Sequence, residues 1–244
     1  MKIDVLTLFP HMFESVLGDS VIGRAQNAGL LDFSFVNIRD FSVDKHKRVD
    51  DYPYGAGGGL VMTCQPIYDA YQSLLKEGEA KPRVIYLSPQ GSVFNQQKAI
   101  SLSKLSHVVL LCGHYEGVDE RVLEEIVDEE ISVGDFVLTG GEIAAMAVID
   151  ATCRMIPGVL DSEETYQTES HYGGLLEYPQ YTRPPVFMEK AVPEILLSGH
   201  HKNIETWRRE QSLLRTLKKR PDMLKHADLT EKDIAFLKER EKLL

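Results

Sequence analysis

A chain of 244 residues can bury a substantial core, and its length allows one or two domains, because single cores stop growing near about 250–300 residues. Its net charge of −10 argues against a general nucleic-acid binder, whose affinity comes from phosphate neutralisation. Cys64, Cys112 and Cys153 stand without a C-x-x-C pair or spaced histidine partners, which argues against a disulfide framework or a structural zinc and fits a reducing cytoplasm. Ile3–Leu8 carries Asp4 within its apolar run and is halted by Pro10, so it reads as a first strand rather than a signal peptide or a membrane span. Further strands are predicted at Phe33–Ile38, Val84–Leu87, Val108–Cys112 and Ile131–Leu138, alternating with helical stretches. That alternation indicates an α/β fold with a largely parallel sheet.

Glu142 to Met155 is apolar almost all round, as expected of a helix covered by the sheet on one side and by something else, such as a second subunit, on the other. Pro157-Gly158 ends it. From Asp161 to Gly174 the chain is polar without either period and reads as a flexible linker. Beyond it, Ile204, Trp207, Leu214 and Leu217 mark one helix face, and Thr230-Glu-Lys-Asp233 resembles the cap of a last helix. The expected plan is an α/β domain over 1–160, a linker over 161–174 and a small helical domain over 175–244.

Charge is unevenly spread. Between Glu116 and Asp135 nine acids face one base, Arg121, whereas between Lys202 and Lys225 eight bases face Glu205, Glu210 and Asp222. The second stretch offers a basic face to a polyanion.

Three strand candidates end in glycine-bearing loops: Tyr86-Leu-Ser-Pro-Gln-Gly91, Leu111-Cys-Gly-His-Tyr-Glu-Gly117 and Val137-Leu-Thr-Gly-Gly-Glu142. Ligands of parallel sheets gather beyond the carboxyl ends of the strands, where glycine lets backbone come close to them. No phosphate-binding glycine pattern is present, so a phosphate-free cofactor held by backbone amides and an apolar slot fits better than ATP or NAD. Tyr54–Gly59 is another permissive loop, equally readable as a plain hairpin connection. Glu116, Asp119 and Glu120 carry oxygen donors for a hard cation, although such a run more often forms the solvated, acid-rich first turn of a helix. Arg154 follows Asp150 by four residues, the spacing of an ordinary helical ion pair and also a place for a cationic clamp.

In order, Val49-Asp-Asp-Tyr-Pro-Tyr-Gly-Ala-Gly-Gly-Gly, Tyr86-Leu-Ser-Pro-Gln-Gly, Cys112-Gly-His-Tyr-Glu-Gly-Val-Asp-Glu-Arg, Gly134-Asp-Phe-Val-Leu-Thr-Gly-Gly-Glu and Gly174-Leu-Leu-Glu-Tyr-Pro-Gln-Tyr-Thr-Arg-Pro-Pro resemble the bacterial tRNA (guanine-N1)-methyltransferases. The resemblance extends from Leu8-Phe-Pro to Arg220-Pro-Asp. It implies a SPOUT-like fold with a C-terminal trefoil knot, a homodimer with its active site at the subunit interface, and methyl transfer from S-adenosylmethionine to N1 of the guanosine 3′ of the tRNA anticodon. On that basis the cofactor pocket comprises Tyr86, Leu87, Ser88, Pro89, Gly91, Gly113, Tyr115, Glu116, Ser132, Val133, Gly134, Phe136, Leu138, Gly140 and Gly141. Arg154 stabilises charge on the base, Glu116 is the place for Mg²⁺, and Lys218, Lys219 and Arg220 meet the tRNA substrate. Two positions depart from the family pattern: His114 stands where arginine is usual, and Glu169, before Ser170, stands where the family has its aspartate base. Rival readings are a ribose 2′-O methyltransferase of the same fold, a metal-dependent phosphoryl hydrolase built on the acids of 116–135, and an RNA-binding scaffold without catalysis.

Overall fold

The computed structural model describes residues 1–55 and 58–241, apart from the side chains of Glu163, Glu164 and Glu241, and divides into two compact units, Met1–Ser162 and Glu163–Leu244. In the first unit the chain runs β1 (Lys2–Thr7), α1 (His11–Leu17), α2 (Ser20–Asn27), β2 (Asp32–Asn37), the short β3 (Asp50–Asp51) and β4 (Val61–Met62), and α3 (Cys64–Gln72). It continues through β5 (Arg83–Val93), α4 (Gln96–Leu102), β6 (His107–Cys112), α5 (Glu120–Ile126), β7 (Glu129–Ser132) and α6 (Glu142–Cys153). Five strands pair in the order β2-β1-β6-β5-β7, all parallel.

Side-chain alternation separates two cores across this sheet. Ile3, Val5, Ile85, Leu87, Val108 and Leu110 face one side and pack with Phe13, Leu17, Ala145, Val148 and Ile149 of α1 and α6. Leu6, Val84, Tyr86, Val109 and Leu111 face the other and meet Ile67, Tyr71, Val122 and Ile126 of α3 and α5. Near-continuous burial of β6 explains its unbroken apolar run, as expected of a central parallel strand. The polar Asp4 within β1 is fully buried, and its carboxylate accepts from His107 at 2.7 Å and pairs with Lys2 at 3.0 Å.

The strand expected over Ile131–Leu138 is shorter. Only Glu129–Ser132 pairs, because Ser132 Oγ accepts the Gly134 N–H at 3.2 Å and donates to the Gly134 carbonyl at 2.9 Å, closing a turn with Gly134 at φ +149°. The chain beyond it leaves the sheet, and Phe136 and Val137 are exposed. β3 and β4 form an antiparallel pair flanking the Tyr54–Gly59 loop, of which Ala56 and Gly57 lie outside the described residues.

The second unit holds α7 (Glu163–Gln167), the β8 (Val186–Phe187) and β9 (Lys190–Ala191) hairpin, α8 (Glu194–Leu197), the long α9 (His201–Lys219) and α10 (Glu231–Glu241). Its core centres on Leu175, Leu213 and Leu237. The most buried positions of α9 are Ser212, Leu213 and Thr216, rotated from the Ile204, Trp207, Leu214 and Leu217 face expected. Thr216 tolerates burial because its hydroxyl donates to the Ser212 carbonyl at 2.7 Å and accepts the Leu176 N–H at 2.9 Å. The α10 cap follows the expected reciprocal pattern: Thr230 Oγ1 accepts the Asp233 N–H, and Asp233 Oδ2 accepts the Thr230 N–H at 2.8 Å.

Between 161 and 174, where the sequence shows no period, the chain makes the five-residue α7 and then folds back. Tyr166, 8% exposed, meets the Tyr172 ring at 5.5 Å between centroids, and the His171 N–H donates to the Leu175 carbonyl at 2.9 Å. A segment this short, anchored by an aromatic pair, leaves no periodic stripe to read.

Candidate active site

A cavity of about 310 Å³ opens beyond the carboxyl ends of β5, β6 and β7. The chain passes from β5 to its neighbour β6 on one side and then back across β5 to β7 on the other. That reversal leaves a crevice where parallel sheets take their ligands. Each strand contributes a loop. After Leu87, which pairs with Ile131, the register jumps so that Ser92 also pairs with Ile131, and the intervening residues bulge toward the crevice. The loop after β6 turns through Tyr115 at φ +61°, whose hydroxyl accepts from Arg39 Nη2 at 3.2 Å. The third loop closes on the second: His114 bridges to Gly140, and the Gly141 N–H donates to the Gly113 carbonyl at 2.9 Å.

Glycine is required at this contact. A Cβ on Gly141 would stand 2.8 Å from Cys112 Cα, and one on Gly113 would stand 2.7 Å from the Tyr86 hydroxyl. Burial, with help from Glu130 and Glu120, pushes the Tyr86 phenol up to about 12, so it stays neutral. Burial and the nearby Glu142 push the Cys112 thiol well above its usual range, which makes it an inert packing group. Glu142 is itself buried and accepts from Thr7 Oγ1 at 2.8 Å.

Tyr86, Leu87, Ser88, Pro89, Gly113, Tyr115, Glu116, Ser132, Val133, Phe136, Leu138, Gly140 and Gly141, all expected from the sequence, border the cavity together. Gly91 and Gly134 do not line it. A Cβ on Gly91 would run into the Glu130–Ile131 peptide, so it permits the close β5–β7 approach, and Gly134 makes the turn that carries the chain to the third loop. Gln90, Val137 and Thr139 border the cavity without having been singled out, although each sits inside a loop recognised by its glycines.

Arg154 lies elsewhere on the same unit. It is the half-buried C-cap residue of α6, whose other end borders the cavity, and the helix between has 12 residues. At 1.5 Å per residue the two ends are roughly 18 Å apart. One face of α6 stays uncovered: Ile143, Ala147 and Asp150 are exposed, with Ile143 at 52%.

The acids after β6 serve structure. Asp119 caps α5 by accepting the Arg121 N–H at 3.1 Å, and its carboxylate takes Arg121 Nε at 2.9 Å and Nη2 at 2.7 Å. The Arg121 guanidinium holds Asp119 well below the usual carboxylate range. Among the described residues no group of three or more His, Cys, Asp or Glu side chains is placed to hold a metal ion.

In the second unit Glu169 is half-buried and borders a separate cavity of about 610 Å³, together with Tyr178, Arg208, Arg209 and Ser212. The Glu169 N–H donates to the Tyr166 carbonyl at 3.2 Å, which sets the backbone of the loop that presents it. Lys218, Lys219 and Arg220 are exposed at the end of α9, but Arg220 already spends its guanidinium on Asp222 at 2.7 Å. No helix among the described residues is long and apolar enough to cross a membrane.

Comparison with known proteins gives the family of the chain. Residues 1–226 match the family described as tRNA (Guanine-1)-methyltransferase TrmD. A tRNA (guanine-N(1)-)-methyltransferase of Ruminiclostridium cellulolyticum is 61% identical over 223 residues, covering 91% of this chain and 96% of that protein. One from Clostridium botulinum strain 657 is 56% identical over the full length of both chains, and one from Halalkalibacterium halodurans is 54% identical over 97% of this chain and 96% of its own. The chain therefore belongs to the tRNA (guanine-1)-methyltransferase family.

Proposed function

We propose that the protein transfers a methyl group from S-adenosylmethionine to N1 of the guanosine at position 37, 3′ of the anticodon, in cytoplasmic tRNA. The observation that carries this reading is the cavity formed by three glycine-cradled loops, in a chain that matches methyltransferases over nearly its whole length.

The cavity suits the cofactor. Its wall combines backbone of Gly113, Gly140 and Gly141 with apolar Leu87, Val133 and Leu138, and the neutral Tyr86 phenol adds a donor. When bound, S-adenosylmethionine supplies the electrophilic methyl group. Guanine N1 carries a proton, so the protein must remove it as the nitrogen becomes a nucleophile. Glu169 accepts that proton, and Arg154 faces the negative charge that spreads toward O6. Mg²⁺, when bound, would be held through the Glu116 carboxylate and would add positive charge toward the developing O6 anion.

The separation of Arg154 from the cavity along α6, together with the exposed Ile143, Ala147 and Asp150 face, supports a homodimer. Two copies packed through antiparallel α6 helices bring the Arg154 end of one beside the cavity end of the other. The loop after β7 closing on the loop after β6, beside the bulged end of β5, supports the trefoil knot that the family resemblance implies. Lys218 and Lys219 supply phosphate contacts, and the free thiols of Cys64, Cys112 and Cys153 suit the reducing cytoplasm.

Nucleoside mass spectrometry on unmodified tRNA incubated with the protein and S-adenosylmethionine tests the reading. It requires 1-methylguanosine at position 37. A ribose-methylated nucleoside instead would replace it with the 2′-O reading.

A further inference from the structure

Two adjacent arginines of α9 have different surroundings. Arg209 Nη2 donates to Asp233 Oδ2 at 2.9 Å and to the Asp228 carbonyl at 2.9 Å, which ties α9 to the cap of α10. Arg208 is exposed, and its guanidinium carbon lies 4.8 Å from the centre of the Tyr178 ring. Among the described residues it has neither a hydrogen bond nor an ion pair.

A guanidinium held over a ring by cation–π attraction is restricted in position, while none of its five N–H donors is taken by a protein acceptor. That is the preorganised fork that matches two oxygens of a phosphate. It borders the cavity that also holds Glu169, with Leu175 and Ser212 nearly buried in the wall. Glu205 borders the same cavity, and its charge together with that of Glu169 works against loose capture of a free anion. A phosphodiester delivered by a larger RNA, held elsewhere as well, meets no such difficulty.

We propose that Arg208, held over the Tyr178 ring, grips one phosphodiester of the substrate tRNA beside the guanosine presented to Glu169. Its location rests on the proposed role of Glu169, but the contact is a matter of binding rather than of proton transfer. The contact fixes the register of the RNA strand, since a fork to a single phosphate positions without reading a base.

The probe is a tRNA transcript in which each phosphate flanking position 37 is replaced in turn by a neutral methylphosphonate. Affinities are measured for the parent protein and for Arg208→Gln. In the parent, one position should lose about 10–100-fold in affinity, the scale of a charge-assisted hydrogen bond. In Arg208→Gln the natural tRNA should bind that much more weakly, and neutralising the same phosphate should add nothing. Tyr178→Phe should behave as the parent, whereas Tyr178→Leu should lose about 2–5-fold with the ring.

Equal methylphosphonate penalties in parent and Arg208→Gln at every position would overturn the proposal, as would parent-like tRNA affinity in Arg208→Gln. Arg208 makes no polar contact within the described protein, so the unfolding of the second unit, followed by fluorescence of the lone Trp207, should be unchanged. Arg208→Lys, which keeps the charge without the fork, gives a second folded comparison and should recover only part of the affinity. Glu169→Gln separates this idea from the base reading: with one negative charge fewer beside the cavity it should bind tRNA at least as tightly as the parent and keep the methylphosphonate penalty at the Arg208 position, whatever its methyl-transfer rate.

Discussion

The two units build their cavities from different materials. In the first, the walls are loops in which a Cβ on Gly113 or Gly141 would collide with a neighbour, so its lining is set by shape and backbone polarity. In the second, Glu169, Glu205, Arg208 and Arg209 surround the space, so its lining is charged. Net charge divides the same way. Residues 1–162 hold 23 acids against 13 bases, which is the whole of the −10, while residues 163–244 hold 14 of each. A polyanion partner is thus compatible with an acidic chain, because the unit that would meet it is neutral overall and concentrates eight bases between 202 and 225. Their stabilities should differ too. Two continuous cores clasp the five-stranded sheet, whereas the second unit relies on Leu175, Leu213 and Leu237 with a few half-buried neighbours.

The largest effect is expected where shape alone matters. Gly141→Val places branched atoms against the Cys112 backbone and should abolish S-adenosylmethionine binding by calorimetry, while Trp207 fluorescence reports an unchanged unfolding midpoint for the second unit. Retained affinity would show that the loop contact is not part of the binding wall. On the charged side, Glu169→Gln should lower the single-turnover methyl-transfer rate by about 10²–10⁴-fold at neutral pH, the usual scale for general-base catalysis. Cofactor affinity should stay intact, and the deficit should shrink as pH rises toward spontaneous N1 ionisation. A parent-like rate at neutral pH would remove Glu169 from the mechanism.

The same truncation in both units tests their cores directly. Leu110 and Leu213 are each 1% exposed, and Leu→Ala in a core costs about 2–5 kcal/mol. A loss of that size is a larger share of the total for the small helical core. Leu213→Ala should therefore unfold the second unit at room temperature by Trp207 fluorescence and suppress tRNA binding, while Leu110→Ala stays folded. If both variants melt together, the units share one cooperative transition.

What was legible in the sequence follows the same division. Short apolar and β-branched runs located four of the five sheet strands, and glycines at strand ends located the loops of the first cavity, because backbone-built features leave composition signals. The end of β7 was misplaced, since a serine–glycine turn stops a run whose apolar residues continue outside the sheet. In the second unit, Glu169 was found only through family resemblance. Nothing local marked the Arg208–Tyr178 pair, separated by thirty positions, or the short α7 turn held by Tyr166 and Tyr172. Side-chain-built sites depend on long-range placement, which periodicity does not carry.

The smallest expected effect concerns the α10 cap, where charge stabilises the helical unit itself. Burial of Asp233 raises its pKa, but hydrogen bonds from Arg209 and Thr230 outweigh that, and the net shift is downward. A group with a depressed folded pKa contributes stability that is present above its unfolded value, about 3.9 for aspartate, and is lost as pH falls through the folded value. Asp233→Asn keeps an acceptor for the Thr230 N–H yet gives up the charge facing Arg209, so the loss should be about 1 kcal/mol near neutrality, typical of a weakened cap. Urea unfolding followed by Trp207 should show that deficit at pH 7 and its disappearance as pH falls through the lowered folded pKa and the parent carboxylate is protonated. No corresponding change is expected in cofactor binding, because Asp233 belongs to the second unit and the glycine-lined cavity to the first. A deficit that persists unchanged in acid would assign the effect to side-chain packing rather than to charge, and the second unit would then resemble the first in being held by shape.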